Sequence, residues 1–322
     1  MRIASLLPAT TEWVAAFGAV DDLVARSHEC HDPPSVADVP VVTRTTVPGG
    51  LDSQAIDDAV QATIQAGLSL FDVDLDALRA SRPDVILTQT QCDVCAVPAS
   101  ALDGALEDWT GQVGGAMPEV VSLAPMTFKE VLESGLRIGH AIGRTAEAMA
   151  FLAEHERHLH ALRTRLGLAR DDSFLDGTRR PTVACVEWLA PLMTAGHWTP
   201  DLVAHAGGVA VGAARGAASG VVTWDDLRAL DPDVLAVMPC GFALDQTRRD
   251  LGLLTEQPGW DDLGAVRTGR VVLLDGDAYF NRPGPRLYRS IELLTAALHP
   301  ERAAVETAPW ELARLGELAH AT

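Results

Sequence analysis

Cys92 and Cys95, separated by Asp93 and Val94, have the spacing in this chain best suited to chemistry. A C-x-x-C pair in a tight loop or at a helix start lets two thiolates converge on one metal, as in zinc and iron–sulfur sites, and the same spacing serves a redox dithiol. Cys30 and Cys240 each follow a predicted strand end, so four thiols could surround one soft ion or cluster. His28 and His197 flank this region and could take an axial position on a cobalt or iron chelate. Glu29, Asp93 and Arg282 could meet amide or carboxylate groups on a ligand's rim. Plainer roles compete with each of these. Cysteine is among the most buried residue types and packs as a small hydrophobe, the reading that fits Cys185 in an apolar strand. A lone histidine is more often a hydrogen-bonded structural residue than a ligand, and charges at a cleft mouth are ordinarily solvated.

What must position these side chains is a unit that the chain contains twice. Leu78-Arg79-Ala80-Ser81-Arg82-Pro83-Asp84-Val85-Ile86-Leu87 recurs as Leu227-Arg228-Ala229-Leu230-Asp231-Pro232-Asp233-Val234-Leu235-Ala236. Each copy reads as a helix end, a Pro-Asp turn and a buried strand. A repeat at so long a spacing duplicates a lobe rather than building a solenoid. Cys92 and Cys95 follow the first strand, and Cys240 follows the second.

Around the first copy, residues 3–7 read as a strand broken by Pro8, with Thr10 or Thr11 opening a helix that carries Trp13, Val14 and Phe17 inward and stops at Gly18. Further strands are expected at 23–26, running into Ser27-His28-Glu29-Cys30, at 39–42 and at 120–123. The alternation implies a largely parallel sheet. From Thr127 to Leu166 there is no proline and apolar residues recur at helical spacing, which predicts one long helix joining the halves. The second lobe has strands at 183–186 and 271–274 around the second copy, then a closing helix to Leu298. The expected organisation is an N-terminal α/β lobe over 1–126, a spine helix over 127–168, a C-terminal α/β lobe over 169–300 and a surface tail over 301–322. Ligands in open α/β sheets gather at the carboxyl ends of strands, so two such lobes are expected to bind between facing edges.

The chain has 322 residues, is 48% hydrophobic and carries a formal net charge of -19, enough for two filled cores but a poor surface for nucleic acid. Five cysteines, an odd number, suit thiols or ligands better than a disulfide framework. Neither a secretory leader nor a membrane-length apolar run is evident, so a cytoplasmic protein without membrane insertion is expected. There is no Walker-type phosphate loop, no Gly-x-Ser-x-Gly elbow and no dinucleotide fingerprint.

The opening Ser5-Leu6-Leu7-Pro8-Ala9-Thr10-Thr11-Glu12, the two Pro-Asp units, the spine helix and the closing aromatics before Pro285-Arg286 resemble the substrate-binding proteins of cobalamin and ferric-chelate ABC importers, a class III periplasmic-binding-protein-like architecture. The similarity spans roughly residues 1–300. It implies two Rossmann-like lobes joined by a long helix, with a chelate lying flat in the cleft against aromatic rings. Carried over by position, Tyr279 and Phe280 match the family's cleft segment, and Trp188 and Trp198 lie near the second lobe's first strand end. Family members that dock on a permease present a glutamate on each lobe, at positions matching Val97-Pro98-Ala99-Ser100 and Val209 here, where no acid stands. Permease docking is therefore not expected, and the thiols resemble the mark of a leaderless, cobalamin-binding-like subgroup. The resulting expectation is a non-enzymatic cytosolic protein holding a corrinoid such as cobalamin, or a related small-molecule metal chelate. The alternative is a protein whose cysteines hold an iron–sulfur cluster or zinc for redox, sensing or catalysis.

Overall fold

The computed structural model describes residues 1–66, 70–90 and 117–318. They form two compact units. One comprises residues 1–51, 55–125 and 129–153; the other comprises 52–54, 126–128 and 154–322.

In the first unit, β1 (Ile3–Ser5), β2 (Leu23–Arg26), β5 (Val85–Gln89) and β6 (Glu119–Leu123) form a parallel sheet in the order β2-β1-β5-β6. β3 (Thr43–Thr45) and β4 (Phe71–Val73) form a separate antiparallel pair. Strand β5 is buried along its whole length, as a parallel strand covered on both faces must be. The strand expected at 39–42 is reduced to one bridge, Arg26 to Val41, next to Pro40, which has no N–H to give a ladder.

Pro8 does not break the chain ahead of the first helix but opens that helix, Pro8–Ala16, because a proline at the first helical position forfeits an N–H that has no intrahelical partner anyway. Trp13 and Phe17 from that stretch stack at 5.5 Å, and Phe151 meets both edge-on.

The proline-free stretch is two helices, Phe128–Ala141 and Thr145–Leu166, rather than one. Gly143 separates them at φ 69°, a left-handed conformation that glycine enters without a Cβ penalty. The helices approach closely at Gly139, where an added Cβ would lie 2.4 Å from the Ala148 Cβ. The division between the two units falls inside the second helix, between Ala153 and Glu154.

The second unit is built on a seven-stranded sheet. Its path runs β10 (Gly220–Val221), β8 (Leu192–Thr194), β7 (Thr182–Leu189), β11 (Val234–Val237), β12 (Val271–Leu274), β13 (Leu312–Arg314), and β9 (Val209–Val211) also pairs with β7. The β9-β7-β11-β12 pairings are parallel. The segment expected as a surface tail is not one: β13 pairs antiparallel with β12, Leu274 opposite Leu312, and Ala313 is buried in the main core of this unit.

The duplicated unit is visible in both sheets. Arg82 and Asp231, at the same place in the two copies, both take positive φ, 44° and 35°, immediately before proline. Proline disfavours the ordinary helical region for the residue ahead of it. The turn therefore leaves the helix sharply and feeds the strand in the same way twice.

Candidate functional site

In the first unit, the carboxyl ends of β1 and β2 carry a hydroxyl-rich cluster. Thr11 Oγ1 donates to Ser5 Oγ at 2.7 Å and lies 3.0 Å from Cys30 Sγ, while Thr10 Oγ1 donates to the Leu7 carbonyl at 3.0 Å. Ser5, Thr10, Thr11 and Cys30 are all buried. Beside them, Thr43 Oγ1 gives its proton to Ser27 Oγ at 3.0 Å and accepts from the His28 backbone N–H at 3.0 Å. Its 2.7 Å contact with His28 Nδ1 must then be a donation from the ring, since the hydroxyl has one proton to give. Nε2 is the ring nitrogen left over; it is buried, makes no hydrogen bond among the described residues and lies 3.3 Å from Glu29 Oε1.

In the second unit, the carboxyl ends of β7, β11 and β12 gather Trp188, Cys240, Phe242 and the loop from Asp275 to Arg282. The Cys240 N–H donates to the Glu187 carbonyl at 2.9 Å, and the N–H groups of Gly276 and Asp277 both donate to the Phe242 carbonyl. Asn281 Nδ2 spans the Met238 and Gly276 carbonyls at 3.2 and 3.0 Å. Gly276 is required here for closeness, because a Cβ on it would sit 2.1 Å from the Pro239 carbonyl oxygen. Trp188 keeps part of its surface exposed; its Nε1 donates to the Ala190 carbonyl at 2.9 Å and its ring lies 5.3 Å from Phe242.

The other expected ligand-facing residues divide by burial. Trp198 and Phe280 are interior: Trp198 Nε1 donates to the Phe280 carbonyl at 2.9 Å, and Phe280 is 1% exposed. Tyr279 is half-buried, with the Arg286 guanidinium 5.9 Å from its ring centre, and burial followed by the nearby Glu311 carboxylate pushes its phenol up to about 12. His197 has φ 51°, faces Ser219 Oγ at 3.3 Å through Nδ1, and is held below the usual imidazole range by burial. Arg282 is paired with Asp277 at 2.5 Å.

The thiols do not assemble a metal site among the described residues, where no three His, Cys, Asp or Glu side chains gather around a common point. Cys30 lies buried in the first unit and Cys240 is partly exposed in the second. Cys92, Asp93 and Cys95, together with 97–100, lie outside the described residues. Cys185 is buried in β7 and its thiol is pushed well up by burial, as expected of a packed cysteine. Sequence reasoning missed Thr43, Ser27, Phe242 and Glu311. The first two lie on either side of a loop whose closure the sequence did not indicate, and Glu311 lay in the presumed tail.

Two α/β units, each with a parallel sheet core and its polar and aromatic side chains at the carboxyl ends of the strands, linked through a long helix, define the architecture of a ligand-binding protein. The family described as periplasmic binding protein matches residues 3–278, and this chain belongs to that family. No curated protein matches it. Among solved structures it is similar to a periplasmic heme binding protein from Pseudomonas aeruginosa, at 20% identity over 97% of both chains with a TM-score of 0.68. It is also similar to the periplasmic vitamin B12 binding protein BtuF of Vibrio cholerae, at 18% identity over 92% of this chain and 96% of that one, TM-score 0.59. A third is described as an ABC-type Fe3+-hydroxamate transport system from Saccharomonospora viridis, at 19% identity over 92% and 93%, TM-score 0.63. At such identities these likenesses speak for the fold.

Family membership corrects the expected localisation. A cytoplasmic protein was inferred from the lack of a recognisable leader, but the family is one of periplasmic binding proteins and the heme and vitamin B12 binding neighbours are described as periplasmic. Among the described residues no helix is long and apolar enough to cross a membrane.

Proposed function

We propose that this protein binds a macrocyclic or otherwise multidentate metal chelate, with a corrinoid such as cobalamin as the foremost candidate, and delivers it to an importer. The observation that carries the reading is Trp188. Its ring is fixed by the Nε1 bond to Ala190 and by Phe242, yet keeps exposed surface at the carboxyl end of β7, where a flat ligand can stack without ordering a loose side chain. Family membership supports the class of function, and the chelates named for the solved neighbours support the class of ligand.

A rim of neutral amides, as on a corrin, suits this edge better than a rim of carboxylates. Arg282, the cation expected to meet an anionic rim, is already engaged by Asp277. Delivery to a permease rests on the Saccharomonospora neighbour's place in an ABC-type transport system. Val209, where the resemblance would place a docking acid, is an exposed apolar residue at the start of β9, so docking by this unit would need a different contact.

The test is a visible-absorbance titration of the purified protein with cobalamin, hemin and a ferric hydroxamate. Saturable spectral change with cobalamin, stronger than with hemin, supports the reading. An as-purified visible absorbance that bleaches with dithionite, with no response to any chelate, would instead point to a cysteine-held cluster.

A further inference from the structure

One side chain clasps the carboxyl ends of β11 and β12. Asn281 Nδ2 lies 3.2 Å from the Met238 carbonyl and 3.0 Å from the Gly276 carbonyl. Carbonyl oxygens only accept, so both amide protons are committed and the amide can face only one way. Each of those carbonyls stands on a path to Trp188. Met238 follows β11 directly, and its N–H donates to the Val186 carbonyl at 2.8 Å, two residues ahead of Trp188 in β7. Gly276 lies two residues past β12, and its N–H donates to the Phe242 carbonyl at 3.1 Å, joined there by the Asp277 N–H at 3.2 Å. The Phe242 ring in turn lies 5.3 Å from the Trp188 ring. The backbone N–H of Asn281 also donates to the Gly276 carbonyl, at 3.1 Å, so the turn that carries the clasp is closed on itself.

We propose that Asn281 is a positioning residue for the aromatic face made by Trp188 and Phe242, tying the ends of three neighbouring strands, β7, β11 and β12, into one platform that is set before any ligand arrives. The two carbonyls it satisfies belong to segments that have already left their ladders, where a strand partner no longer holds the backbone. Removing the donors would leave both acceptors to find other partners and free the loop to drift from β11. An aromatic face fixed in advance loses little freedom on binding, so it favours a flat, rigid macrocycle over an open-chain chelate around which a surface must remould. This preference rests on the functional reading above; the positioning itself does not.

Asn281→Asp separates positioning from space-filling. It keeps the size and shape of the side chain but sets an acceptor oxygen against two carbonyls, whereas Asn281→Ala only removes the donors. The exposure of Trp188 can be read by acrylamide quenching of fluorescence in the ligand-free protein. Because the chain has seven tryptophans, the Trp188 signal is taken as the difference between each variant and the same variant carrying Trp188→Phe. The Trp188 quenching constant should rise about twofold in Asn281→Asp and by less in Asn281→Ala. Cobalamin affinity should fall about fivefold in Asn281→Asp, with a smaller loss for a ferric hydroxamate. An unchanged quenching constant in Asn281→Asp, or a larger effect of Asn281→Ala than of Asn281→Asp, would overturn the positioning. If Asn281→Asp fails to fold, an unchanged constant in Asn281→Ala overturns it instead. Equal losses for the two chelates would overturn the preference for a flat ligand. Wild-type protein that binds no chelate would remove the functional reading, and quenching would still decide whether Asn281 holds Trp188.

Discussion

Asp233 accepts the backbone N–H and the hydroxyl of Thr182 on one carboxylate oxygen, at 2.7 and 2.8 Å. Thr182 opens β7, and Asp233 sits in the Pro-Asp turn just ahead of β11, so the bond locks the start of two neighbouring parallel strands. The first unit repeats the arrangement: Asp84, at the same place in its copy, accepts the Arg2 N–H at 2.8 Å just ahead of β1. The Pro-Asp pair recognised twice in the sequence is therefore a strand latch. It has no need of a ligand to explain it.

Asp233→Ala should cost about 2 kcal/mol in chemical denaturation, since it strips acceptors from Thr182 and the partner of Arg179, which bridges it at 2.8 and 2.7 Å. Asp84→Ala, which loses one backbone bond, should cost about half as much. Equal and negligible effects would deny the latch.

How much of this was legible in sequence follows from the same residues. The repeat was visible because the latch needs aspartate and the turn needs proline, both strong local signals. The break at Gly143 was overlooked because apolar spacing continues across it; only the glycine marks it. The pairing of β13 was invisible because three residues, Leu312 to Arg314, gain their strand state from β12 rather than from their own propensity. Trp188, singled out with Trp198 for lying near a strand end, stands inside β7 and keeps part of its surface exposed. Trp198 and Phe280 have the same residue chemistry and differ only in burial, which single-sequence reasoning does not resolve.

Trp188→Ala should weaken chelate binding about tenfold or more with little change in stability, because its ring is partly exposed. Trp198→Ala should do the reverse first, costing about 3 kcal/mol of stability through the lost core volume and the orphaned Phe280 carbonyl. Denaturation curves and ligand titrations on both variants separate the two roles. Matching behaviour of the two variants would contradict the assignment.

Gly276→Ala should disrupt the loop from Asp275 to Arg282, where chelate binding is proposed. The added methyl meets the Pro239 carbonyl at 2.1 Å, a backbone atom that cannot rotate away, so a loss of about 2 kcal/mol or more and impaired chelate binding are expected from thermal melts and titration. A fully stable, fully binding variant would show that the loop has slack that the structure does not display.

Acid should weaken the second unit in two windows. His299 is buried, contacts the Gly207 carbonyl through Nε2 at 3.2 Å, and is pushed down by burial to about 4 from 6.5. The unfolded chain therefore binds the extra proton first, and stability should fall as pH drops from about 6.5 to about 4, then level off for this group. Asp233 is held far below the usual carboxylate range, mainly by Arg179, so its contribution is present above about pH 4 and fades below it. His299→Gln should flatten the upper window and leave the lower one. An unchanged slope between pH 6.5 and 4 in that variant would refute the assignment.

Calorimetric titration of the protein with cobalamin tests the proposed binding most directly. The expected result is a saturable exotherm or endotherm at one ligand per protein, with a dissociation constant of about 1 μM or tighter, lost or weakened about tenfold in Trp188→Ala. No heat and no accompanying spectral change, with cobalamin and the other chelates alike, would contradict it.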